Sequence, residues 1–121
     1  MQSPANAYGK VASQVSSPRE MEASLLLQAA SRLQAVKAIW GKDSAELNNA
    51  LLYNRKLWTI FLASATDANS PLEQTVRQNV ANLGLFVMKQ TMAITTDPRP
   101  ERLVPLININ REVAAGLLGR A

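Results

Sequence analysis

Three times along this chain an oxygen-bearing residue is followed three positions later by glutamate: Ser17 and Glu20, Asp43 and Glu46, Ser70 and Glu73. This is the spacing of a capping box. The first side chain accepts a hydrogen bond from an orphan N–H of the opening turn, and the glutamate reaches back to the cap. After Ser17 and Ser70 the next residue is proline, whose missing N–H costs nothing at the first helical position. The pattern predicts helices over 18–40, 44–65 and 71–95. Gly41 should stop the first, because glycine takes the left-handed conformation that favours a helix end. The segment DPRPER, 97–102, reads as a turn, since residues before proline avoid the helical region. A last helix should begin between Arg102 and Pro105 and end near Leu118. Helices joined by short loops pack as antiparallel neighbours. The expected fold class is therefore all-α, a small antiparallel helical bundle of about four main helices. It should form a single domain over 1–121, with the bundle at 17–118 and a short N-terminal helical or flexible arm at 1–16.

Each helix should turn one apolar stripe inward. In the first, Met21, Leu25, Ala29, Leu33, Val36 and Trp40 share a face, and Arg32 falls within it, either at the stripe's edge or paired with a carboxylate. The last helix carries Leu106, Ile109, Val113 and Leu117. Gly84 interrupts the third and lowers helix propensity by roughly 1 kcal/mol against alanine. It either admits a close helix contact or is tolerated at an exposed position. Met21, Met88 and Met92 read as adaptable packing.

The second helix is the most informative. Leu47, Leu51, Trp58, Leu62 and Ala65 cluster on one arc, and Ala50, Tyr53, Leu57, Ile60 and Phe61 widen it past half the circumference. Such a helix is expected to have neighbours on two sides. Within LLYNRKLWTIFLA, 51–63, Asn54 falls on the apolar side and needs a hydrogen-bond partner if buried. Arg55 sits at the border and Lys56 on the polar arc. These two are either the wet side of a buried helix or contacts to a partner. Trp58, mid-stripe among leucines, reads as a core filler, and Trp40 at a helix end as core or contact. Tyr8, Val11, Ala12 and Val15 could form an amphipathic turn or two, too short to be stable alone. It would dock, exchange with another subunit or order on a partner. The partner-binding candidates are thus Arg55, Lys56, Trp40 and Tyr8.

The chain contains no cysteine and no histidine. That removes thiolate chemistry, the commonest metal ligand and the side chain that titrates near neutrality. No phosphate loop, carboxylate pair or nucleophile elbow compensates, so neither an enzyme nor a cofactor, metal or small-molecule substrate is expected. The net charge is +4, but the basic residues are scattered where a nucleic-acid binder usually clusters them. The longest apolar stretch, 57–65, is far short of the ~20 residues of a membrane span. The first residues lack the basic start and apolar run of a signal peptide. A cytoplasmic protein is expected.

Four phrases, AYGKV…SPREMEASLL, NALLYNRKLWTIFLA, NVANLGLFVMKQT and LININREVAAGLL, resemble the bacterial FlaF family in order and spacing, over about 7–118. The resemblance implies a flagellar biosynthesis protein that promotes flagellin synthesis and export. Its implied partners are flagellin, through the flagellin terminal segments, and FlbT, a companion regulator of flagellin mRNA translation. Two mechanisms follow from it: a secretion chaperone or adaptor that binds flagellin, and an RNA-associated regulator acting directly or with FlbT. The family has no established catalytic motif, so no active-site residue carries over.

Overall fold

Ser17 opens the first helix as its spacing predicts: its backbone is extended and its hydroxyl accepts a hydrogen bond from the Glu20 N–H at 3.1 Å. A computed structural model of the protein describes Ser3, Pro4 and residues 17–119. Among these, helix α1 spans Pro18–Ala38, α2 Ser44–Thr66, α3 Gln74–Thr96 and α4 Val104–Leu117. A 3-10 turn, Pro100–Leu103, leads into α4. No strand occurs among the described residues. The protein is an all-α bundle.

α1 ends at Ala38, two residues before the expected Trp40. The Ile39 N–H bonds to Val36 O and the Lys42 N–H to Ile39 O, tightening the turn, and Gly41 takes φ +86° within it. At the start of α2, Asp43 Oδ1 accepts from the Ala45 and Glu46 N–H groups. The third start departs from the expectation. Ser70 directs its hydroxyl to the Leu72 N–H, only two residues on, and α3 begins at Gln74 with no side-chain cap. A serine hydroxyl serves a local turn as readily as a helix cap, and half-buried Leu72 packs on the core from that turn. Ser17→Ala should therefore cost ~0.5–2 kcal/mol through a lost cap, and Ser70→Ala clearly less. Denaturation midpoints of the two variants compare them directly.

α1 packs against α4 on one side and α2 on another, and α2 in turn carries α3. α2 thus has helices on two sides, as its wide apolar arc requires. Gly84 is buried, and a Cβ there would come within 2.5 Å of a Leu62 methyl. The glycine leaves room for the Leu62 side chain at the α2–α3 crossing. At the far end of α3, the Asp97 carboxylate pairs with Arg99 and Arg102, and Arg102 also donates to Ala93 O at 3.1 Å. The proline turn is held from both flanks.

Arg32 pairs with no carboxylate among the described residues: its guanidinium lies 4.4 Å from the centre of the Tyr53 ring. That cation–π contact lets it lie across the core edge. Burial raises the Tyr53 hydroxyl above its usual range, and Arg32 opposes the rise. Glu22 is half-buried, and burial pushes its carboxyl up while Arg19 pulls it down. The folded state thus holds this proton to higher pH than the unfolded chain. Its contribution falls as pH rises from the unfolded value through the raised folded one, and is flat above. Glu22→Gln should remove that slope and raise the melting temperature at neutral pH. Melts of both proteins from mildly acidic to neutral pH read the difference.

Candidate partner-binding site

The centre of the bundle is polar. Trp58, fully buried, donates its indole N–H to Asn110 Oδ1 at 2.8 Å. An indole can only donate, so it fixes which end of the Asn110 amide faces it. The other end, Nδ2, then donates to Asn54 Oδ1 at 2.7 Å and to Leu26 O at 3.3 Å. Asn54 and Asn110 are both fully buried. One amide therefore joins α1, α2 and α4, and the Trp58 ring packs edge-on against Phe61 at 5.4 Å. Asn110 is the partner of the Asn54 oxygen, while Asn54 Nδ2 has none among the described residues. Apolar periodicity places Ile109 and Val113 on the inner face of α4, yet the fully buried positions there are Leu106, Ile107, Asn110 and Ala114. The helix is rotated so that the asparagine, not the isoleucine, points to the centre.

This arrangement leaves the outward face of α2 free to form a seam with α3. Arg55 and Lys56 are exposed on it. Together with Thr59, Ile60 and Met88, and with Ser3 and Pro4, they line a hollow of about 560 Å³. Arg55 also borders a second hollow of about 170 Å³, with Asn48, Leu52, Thr91 and Thr95 around it. The two are consecutive along one groove. From Asn48 to Ile60 it runs roughly 18 Å at 1.5 Å per residue, about three helical turns. Ile60, expected in the core, is 39% exposed here, and Leu52 37%. The wide apolar arc of α2 overestimates burial at this edge, because α3 covers only part of it. Hydrophobic stems and two cations share the rim.

The other candidates lie elsewhere. Trp40 is half-buried in a separate depression of about 220 Å³ with Val36, Ile39, Leu47 and Pro98, sharing no residue with the groove. Tyr8, like the amphipathic pattern around it, lies outside the described residues. Met92 is 71% exposed on α3 and is not core packing. One apolar cleft has no counterpart in the sequence reading. α3 and α4 touch little, and Val76, Val80, Leu83, Val113 and Leu117 line about 500 Å³ between them. Val113 and Leu117 belong to the expected stripe of the last helix, whereas no stripe was expected of Val76, Val80 and Leu83 on α3.

No helix among the described residues is long and apolar enough to cross a membrane. A family model described as Flagellar protein FlaF matches residues 4–117. No curated protein and no solved structure matches the chain.

Proposed function

Because this chain belongs to the FlaF family of flagellar proteins, we propose that it acts in the cytoplasm as a flagellin-binding secretion chaperone or adaptor, through binding rather than catalysis. The observation that carries this reading is the α2–α3 groove. It is long enough for about three turns of a partner helix, and it offers the Ile60 and Met88 side chains beside the Arg55 and Lys56 cations. Helix-in-groove recognition uses such a surface: apolar anchors at i, i+3, i+4 and i+7 supply affinity, and charges at the rim supply register. The groove calls for a helical segment apolar on one face and acidic beside it, and we assign that place to a terminal segment of flagellin. An effect on flagellin translation would then be relayed through flagellin or through FlbT.

Ile60→Asp tests the groove at its apolar centre. The side chain is partly exposed, so the bundle should fold with an unchanged circular dichroism spectrum, while flagellin affinity falls at least tenfold. Arg55→Ala with Lys56→Ala should weaken binding only several-fold, since rim charges are each worth ~0–1 kcal/mol. Titration calorimetry should show a negative heat-capacity change and binding that persists at raised salt. RNA held through its phosphates would instead weaken steeply as salt increases. Salt-sensitive capture of the flagellin mRNA leader, with no flagellin binding, would overturn the chaperone reading.

A further inference from the structure

Part of this chain forms one wall of the α2–α3 groove. Pro4 is buried, and with Ser3 it lines the larger hollow alongside Arg55, Lys56, Thr59, Ile60 and Met88. Covalent connection does not dictate that position. Residues 5–16 join Pro4 to Ser17, and at roughly 3.3–3.6 Å per residue such a length of chain can span ~40 Å. A 23-residue helix such as α2 is roughly 35 Å long, so the same link reaches most of the bundle surface. Ser3 and Pro4 nevertheless lie at the hollow lined by Ile60 and Met88. The chemistry of the contact suits them. Proline buries an apolar ring at no cost in side-chain rotamers, and Ile60 and Met88 provide apolar surface to receive it.

We infer that Ser3–Pro4 is an intrachain ligand of the α2–α3 groove, one that any partner helix must displace. The inference rests on the preceding reading only for the identity of that partner. Occupancy by the same chain is independent of protein concentration. It weakens apparent partner affinity by the fraction of molecules whose groove is open. A groove open one-tenth of the time would bind about tenfold more weakly than an unobstructed one.

Anilinonaphthalene sulfonate, an apolar anion suited to a hydrophobic groove with two cations, reads occupancy without flagellin. Pro4→Gly should raise its binding several-fold, and adding Arg55→Ala and Lys56→Ala should abolish the rise. An unchanged melting temperature would show the bundle intact. A cross-link reads the contact itself, since the chain has no cysteine to interfere. Ser3→Cys with Thr59→Cys, treated with a short bis-maleimide, should join within one molecule. Ser3→Cys with Ser31→Cys, at an exposed site on α1, should join poorly. Equal cross-linking of both pairs, linkage only between molecules, or dye binding unaffected by Pro4→Gly would each overturn the inference. Flagellin then separates the two claims. Its affinity should rise up to about tenfold with Pro4→Gly and be lost in the cross-linked chain. Dye and cross-link following the expected pattern while flagellin affinity stays constant would leave the intrachain ligand standing and remove flagellin from this groove.

Discussion

Asn110→Leu should destabilise the protein by ~2–6 kcal/mol, although it places a hydrocarbon of similar volume in the core. The expectation comes from the groups left behind. The Trp58 indole N–H and the Asn54 amide both lose their partner while remaining fully buried. Each stranded group costs ~1–3 kcal/mol. Against a typical total stability of ~5–15 kcal/mol, that is a large share. Asn54→Leu added to the same chain should return part of the loss, because replacing both members of a buried polar pair is far cheaper than orphaning one. Urea midpoints of the single and double variants measure this. An Asn110→Leu protein as stable as the original would mean that the three-helix amide contact is absent in solution.

Trp58→Ala should cost ~3–5 kcal/mol, the usual range for truncating a buried aromatic. The residue is fully enclosed and packs edge-on to Phe61. Two effects add here, a cavity and an unpaired Asn110 oxygen. Trp58→Phe separates them: it retains most of the packing and removes the N–H, so it should cost roughly 1–3 kcal/mol. Combined with Asn110→Leu it should be strongly non-additive, since the two substitutions break one hydrogen bond. Thermal melts of the cycle give that coupling. Flagellin binding by the folded fraction should be unchanged, because the ring lies in the core, not on the groove.

The helix starts at Ser17 and Asp43 were legible because a cap is a local device. Donor and acceptor lie within three residues, so spacing in the chain is distance in space. The third helix starts at Gln74, three residues beyond the start its spacing predicts. Ser70 had a competing local use, a hydrogen bond to the Leu72 N–H, and packing of Leu72 on the core favours the turn. Burial of Asn54 and its need for a partner followed from its place on the apolar arc of α2. Its partner did not follow, because Asn110 lies 56 residues away and an asparagine counts as polar in any apolar periodicity. The rotation of α4 was hidden in the sequence for the same reason. Three hydrogen bonds outweighed the burial of one more isoleucine face.

The groove divides the same way. That Arg55 and Lys56 border an apolar helix face could be read from helical spacing alone. That Ile60 stays partly exposed, and that Met88 from α3 and Pro4 line the same hollow, could not. Each depends on where α3 lies against α2, beside their close approach at Gly84. Sequence by itself determined the all-α class, the order of four helices, the interior position of α2 and the family, because periodicity, caps and recurring phrases are properties of neighbours along the chain. Tertiary structure decided the central Trp58–Asn110–Asn54 network, the cleft between α3 and α4 and the groove that Pro4 helps to line. Those arise from contacts between residues far apart in sequence, whose geometry no local spacing records.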